Sequence, residues 1–549
     1  NVGTAAVTNV TYNSGTVGNG EYYGISDSNL DNININNGNF TATIDSANLT
    51  VPATGINGVG GAGTVTLQTI NSGNITLGTQ TNNTITSLIV GSPQIGTTTV
   101  TGPIDTPAAT QTYNNVVNLN AGSRTFTGTT VTFNESLTNG TGTVAGNAVF
   151  GDQSSDTVNL LGLTVNGNST VNAGTVTTST TGQAYNGNVT LGSDTTLTDN
   201  SANDIGIDGN IVGAGFNLVL ESTTGTVTLG IADGDNETAT GLGNLTVNGA
   251  AGITLHTSAI TTTGFQAYND AVVLAANTNL TGSTVTFNGT VDATAAGTQT
   301  LTVTGDAVFG DAPADIVGTT ALGALSVTGT TLINTSNINT SNAAGTGNQT
   351  YAGDVTLGTN TSLAAAGGGT IAFNSDVLGG GNNLTVNAAT AVTLGDSAND
   401  QIGTAGSLIG VLDVTGATTL NAGAVNTNNT QTFNSTVTLG NDSHLNSSFA
   451  AADNGGNITL NNVTGAGNDL TITSRGNVSA GVVNLGAGAL DVTLIDATNI
   501  ISLTVAGAAT ANGGLSITGS ATQVDDINFN STLNAGTTDI RLGNGDNTV

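Results

Sequence analysis

Gln183-Ala-Tyr185-Asn-Gly-Asn-Val189-Thr-Leu191 is one of five versions of a single phrase, and the phrase decides the fold. The others are Gln111-Thr-Tyr113-Asn-Asn-Val116-Val-Asn-Leu119, Gln266-Ala-Tyr268-Asn-Asp-Ala-Val272-Val-Leu274, Gln349-Thr-Tyr351-Ala-Gly-Asp-Val355-Thr-Leu357 and Gln431-Thr-Phe433-Asn-Ser-Thr-Val437-Thr-Leu439. Their glutamines lie 72, 83, 83 and 82 residues apart. A short phrase on so even a schedule means stacked units, each burying its apolar face only against a neighbour.

Around the phrase, short runs of Val, Thr, Leu, Ile and Phe alternate with small polar residues, as in Leu163-Thr-Val165-Asn166-Gly167 and Val285-Thr-Phe287-Asn288-Gly289. Alternation of period two is a strand signal, and Asn-Gly supplies the positive φ of a tight turn. No segment carries sustained helical periodicity. Phe133, Phe287 and Phe373 follow their glutamines by 22, 21 and 24 residues. Echoes at greater distance (Asn147-Ala-Val-Phe150-Gly-Asp152 and Asp306-Ala-Val-Phe309-Gly-Asp311) suggest four coils of roughly 20 residues per repeat of about 82. The pattern predicts an all-β fold, a right-handed parallel β-solenoid (β-helix). Its coils would stack about 4.8 Å apart, with Tyr and Phe in internal stacks and Asn in ladders along the turns. Roughly 26 such coils would make a rod on the order of 125 Å long.

Four of the five prolines precede residue 110, and Pro93, Pro103 and Pro107 cluster just before the first phrase. The reading therefore divides the chain into 1–110, a divergent β-rich segment that caps or adjoins the stack, and 111–549. Repeats of the second part start near 111, 183, 266, 349 and 431.

Composition narrows the function. The chain has 549 residues, 80 of them Gly, with no Cys, Met or Trp; Arg124, Arg475 and Arg541 are its only Lys or Arg residues. Net charge is −32 although only 7% of residues are charged, and 37% are hydrophobic. Disulfides, thiolate chemistry and Cys-based zinc sites are excluded, and trypsin-like proteases find almost nothing to cut. Without Lys and with three Arg, binding to a phosphate backbone is disfavoured, as is adsorption to anionic lipid. No run approaches the roughly 18 apolar residues of a membrane span.

Chemistry-bearing motifs are few. Gly58-Val-Gly60-Gly-Ala-Gly63 matches a dinucleotide fingerprint by letter, but a strand pattern succeeds it where a helix is needed. His256 and His444 have no nucleophile in a recognisable frame. The closest acid pairs, Asp233/Asp235 and Asp525/Asp526, do not face each other as glycosidic cleavage requires. Calcium is the better use for the acids, since hard cations take oxygen ligands. The expected ligands are turn aspartates, Asp152, Asp311, Asp204, Asp396 and Asp400, with Asp546 in the Gly543-Asn-Gly545-Asp546 ending. Asn200-Ser-Ala-Asn-Asp204 is echoed by Asp396-Ser-Ala-Asn-Asp400. The Asn-x-Ser/Thr sequons at Asn48, Asn188, Asn244, Asn383 and Asn457 are what so much Asn and Thr would produce by chance.

The recurring Gln-Thr-Tyr-Asn, Thr284-Val-Thr-Phe-Asn-Gly289, Gly146-Asn-Ala-Val-Phe-Gly-Asp152 and Leu163-Thr-Val165 phrases resemble the repeat region of large bacterial secreted β-helical surface proteins. These are of the filamentous-haemagglutinin and autotransporter-adhesin type. The resemblance covers 111 to about 445; the Asn-Pro-Asn-Leu type motif of that family's secretion domain is missing. It implies a non-catalytic extracellular rod on a Gram-negative bacterium, a surface adhesin or biofilm-matrix scaffold, partnered by surface glycans or proteins. A self-assembling subunit of a filament, sheath or surface layer, with other copies of itself as partners, is the alternative. A polysaccharide-degrading β-helix enzyme comes third. No enzymatic activity, no cofactor beyond calcium, no nucleic acid and no membrane span are expected.

Overall fold

The structure is a computed structural model. It describes residues 2–3, 9–12, 20–35, 38–53, 56–58, 62–81, 84–231, 237–341, 347–449, 456–495, 501–519 and 526–541. Among them there is no helix. The fold is a parallel β-solenoid of about 22 turns, each of about 22 residues. Two compact units divide it, Asn1–Asp270 and Ala271–Val549.

One column of unit 1 shows the construction. Leu163 pairs with Gln183, Gln183 with Ile205, Ile205 with Val227 and Val227 with Ile253, all in parallel register. Each turn contributes three strands to three faces, as Gln183–Tyr185, Val189–Leu191 and Thr195–Asp199 do before Ile205–Ile207 begins the next turn. Side chains alternate along these strands: Leu163, Val165, Val189, Leu191, Leu197, Ile205 and Ile207 are buried, while Thr164, Thr190, Thr196 and Thr198 point outward. A filled interior and a hydroxyl-bearing exterior follow from that period of two.

The sequence repeat and the turn are not commensurate. From Gln183–Tyr185 to Ala259–Thr262 the chain makes eleven strands before Gln266. The shorter interval from Gln111 to Gln183 also holds eleven strand stretches. It does so in nine strands, because Val116–Thr127 and Leu137–Val144 each run across two faces. At three strands per turn this is three and two-thirds turns, not the expected four. The phrase therefore moves from face to face. Gln111 pairs with Leu88 and Val131 in one column, Gln183 with Leu163 in a second and Gln266 with Leu245 in a third.

The aromatic residues stack inside each unit. In unit 1, Tyr113 and Phe133 lie 5.2 Å apart and 14° from parallel, and Phe150 continues the column 5.9 Å beyond Phe133. In unit 2, Phe287 stacks on Phe309 at 5.7 Å and Tyr351 on Phe373 at 5.4 Å. Parallel strand spacing of about 4.8 Å sets these separations, which suit offset ring stacking.

The described residues before 110 form coils of the same kind. Leu49–Val51, Ile75–Leu77 and Thr97–Val100 stack in register, and Val65, Leu88 and Gln111 lead without interruption into the first phrase. On the third face, Asn9–Tyr12, Asn32–Ile35 and Ile56–Gly58 form a separate three-stranded sheet. Where it stops, the buried Gln80 side chain stands in for a ladder. Its Oε1 accepts the Ile56 N–H at 3.0 Å and its Nε2 donates to the Pro52 carbonyl at 2.7 Å.

Candidate functional site

The expected calcium ligands fall into two kinds of corner. Asp152, Asp311 and Asp396 occupy equivalent positions in three copies of one turn, Gly151–Asp156, Gly310–Asp315 and Gly395–Asp400. Each turn opens on a glycine at φ of 77°, 78° or 76°, a left-handed conformation that disfavours any other residue. Each closes on the sixth residue, whose Oδ2 accepts two backbone N–H groups. Asp156 takes those of Asp152 and Gln153 at 3.0 and 3.1 Å, Asp315 those of Asp311 and Ala312 at 3.1 and 2.8 Å, and Asp400 those of Asp396 and Ser397 at 2.7 and 2.8 Å.

The closing aspartate is therefore a structural cap, like a helix N-cap residue holding orphan donors. Asp400, an expected ligand, is such a cap. Asp156 and Asp315, the caps of the other two turns, are missed by sequence reasoning, although the spacing Gly-Asp-x-x-x-Asp marks all three. Asp152, Asp311 and Asp396 are exposed.

Asp204 sits in the other kind of corner. Its Oδ1 accepts the Thr226 N–H of the next turn at 2.9 Å. The likeness of Asn200–Asp204 to Asp396–Asp400 is thus one of letters, because Asp204 reaches to a neighbouring coil and Asp400 back into its own loop. Asp546, Asp233, Asp235, Asp525 and Gly543–Asp546 lie outside the described residues, as do positions 59–61 of the glycine-rich match. The chain leaves that match as the strand Ala62–Ile70.

The corner that holds Asp204 recurs throughout. Asn48, Asn188 and Asn244 in unit 1 each accept, through Oδ1, a backbone N–H from the following turn at 2.9 Å; Asn383 and Asn457 in unit 2 do the same at 2.9 and 2.8 Å. Asp27, Asp194, Asp306, Asp376, Asp442 and Asp469 act alike. These five asparagines are the sequons attributed above to chance. Their real origin is the corner, where Asn bridges to the next coil, the next residue (Leu49, Val189, Leu245, Leu384 or Ile458) is buried, and Thr points out. The same geometry answers for much of the Asp and Asn in the composition.

Glu135 has its carboxyl pushed up, first by partial burial and then by the negative charges of Asp156 and Asp152. Among the described residues no group of three or more His, Cys, Asp or Glu side chains is arranged to hold a metal ion. Calcium takes six to eight oxygens, whereas each Gly-Asp-x-x-x-Asp turn brings one exposed carboxylate beside one already committed to backbone. The turns alone do not fit a calcium cage.

His444 is half-buried, its Nε2 2.9 Å from Thr473 Oγ1, and burial lowers its pKa. Asp526 lies on the strand Asp526–Phe529, and Arg541 pairs with exposed Asp539 at 2.8 Å.

The interior holds the polar contact that sequence reasoning missed. Within the phrase, Gln and the aromatic two residues later both point inward. Tyr113, Tyr185, Tyr268 and Tyr351 donate their hydroxyls to Oε1 of Gln111, Gln183, Gln266 and Gln349 at 2.9–3.0 Å. Each Gln Nε2 donates in turn to inward-facing carbonyls, as Gln183 does to Val176 and Thr198 at 3.0 and 2.9 Å. Burial pushes the four hydroxyls far above their ordinary pKa, so they stay donors. The fifth copy has Phe433, and Gln431 Oε1 is left buried without a partner among the described residues.

No family model matches the chain, and neither does any curated protein or solved structure.

Proposed function

We propose that this chain is a non-catalytic extracellular scaffold, a bacterial surface adhesin or matrix element whose working part is the β-solenoid itself. The observation that supports this most is where its polar groups go. Corner Asn and Asp join one coil to the next, the caps Asp156, Asp315 and Asp400 hold turns, and buried Gln and Tyr satisfy one another. Acids committed in this way serve construction rather than proton transfer. The scarcity of Lys and Arg and the absence of Cys and Met suit a protein that persists among proteases and oxidants. Resemblance of the repeat phrases to secreted surface proteins points the same way.

The test is electron microscopy of the purified chain in millimolar calcium and again in chelator. Separate particles of one length in both conditions are expected of a scaffold. Continuous filaments or sheets would replace this reading with a self-assembling subunit, and their loss in chelator would bring calcium into the assembly.

A further inference from the structure

In unit 1 a shallow open groove of about 740 Å³ runs across successive coils, lined by Asp27, Asn48, Asn74 and Thr97 along one side. Along the other lie Asn29, Thr50, Thr76, Thr99 and Asn118, which are register partners in consecutive coils. The first row is a corner ladder, so its Oδ1 atoms are spent: Asp27 accepts from Asn48 N–H, Asn48 from Asn74 N–H and Asn74 from Thr97 N–H, at 2.8–2.9 Å. The amide Nδ2 groups of Asn48 and Asn74 have no partner among the described residues, and neither do the Asn29 amide or the hydroxyls of Thr50, Thr76 and Thr99. The groove therefore offers amide donors along one side and threonine hydroxyls, which can both donate and accept, along the other, repeated about every 4.8 Å.

We propose that this groove binds a neutral glycan chain lying along the stack. A ligand that meets such rows must itself repeat hydroxyl donors and acceptors at about the length of one coil, and a linear pyranose chain does. Anionic polymers are repelled by Asp27 and by the net charge of −32. A nucleic acid would find no Lys or Arg in the lining. A peptide strand adds to a sheet edge, and here the lining strands from Leu49–Val51 to Val116–Thr127 are already paired on both sides, only Ser28–Asn29 at the end of the groove being paired on one side among the described residues. The lining has no aromatic platform, so affinity comes from several weak hydrogen-bonded subsites filled together. A chain of about four sugars spans the four coils from Asn29 to Thr99. The proposal rests on the scaffold reading, to which it gives a partner.

Affinity electrophoresis through gels containing dextran, xyloglucan, galactomannan or, as the acidic comparison, polygalacturonate tests it. Wild type is expected to be retarded by at least one neutral polymer. The triple variant Thr50→Val/Thr76→Val/Thr99→Val should lose at least tenfold of that affinity with an unchanged circular dichroism spectrum. The control Thr177→Val/Thr198→Val, in the same outward column beyond the groove, should keep it. Retardation by polygalacturonate alone, by none of the polymers, or equally in the triple variant would overturn the proposal. Attachment of the wild-type chain to cells or matrix in any of those cases would leave the scaffold reading standing and place its ligand elsewhere.

Discussion

Tyr185 and Phe433 differ by one hydroxyl, and the interior feels it. In four copies of the phrase the tyrosine hydroxyl donates to Oε1 of its glutamine; in the fifth, Gln431 Oε1 is buried and has no partner among the described residues. An orphaned buried acceptor costs about 1–3 kcal/mol. Phe433→Tyr should therefore raise the free energy of unfolding by about 1 kcal/mol, and Tyr185→Phe should lower it by about 1–3 kcal/mol, both read by chemical denaturation. A destabilising Phe433→Tyr would show instead that the site has no room for the oxygen. This contact is within reach of the sequence, since residues two apart on a strand share a face. What hides it is that glutamine reads as a surface residue, and only the corner's inward carbonyls make it an interior one.

At the scale of the element, the turns rather than the strands carry the specific information. Strand positions are legible because burial of alternate residues imposes a period of two. Turn chemistry is legible only in part. Asp400 stands out in the sequence for its company in Asp396-Ser-Ala-Asn-Asp400, yet its carboxylate, like those of Asp156 and Asp315, serves the two N–H groups at the start of its own loop. Asp156→Ala should cost about 1 kcal/mol, as loss of a cap does, and Asp152→Ala, at the exposed position of the same turn, should cost nearly nothing; thermal unfolding of both variants distinguishes cap from ligand. The expectation of four coils per repeat fails for a related reason. Residue spacing is what the sequence displays, whereas the fold counts strands, and 72- and 83-residue intervals hold the same eleven because some strands bend across a corner without a turn.

For the molecule as a whole, 35 acids against three arginines is a standing source of self-repulsion. Screening at physiological ionic strength acts over about 8 Å, so stability should rise as NaCl goes from about 10 mM to about 150 mM. A midpoint of thermal unfolding that falls or stays level over that range would mean the charges are too well spaced to matter. Repeat architecture is legible from the phrase and its schedule; the groove beside Asn48 and Asn74 is not, because it arises from rows that only the register brings together. The corner ladder has one more property, its direction. At Asn48, Asn188, Asn244, Asn383 and Asn457 the earlier residue accepts and the later one donates. A finished coil thus holds out a row of waiting acceptors to whatever chain comes after it. Delivered amino end first, the polypeptide meets at every step a template already shaped for its next lap, and it can wind up behind its own leading end like thread onto a spool.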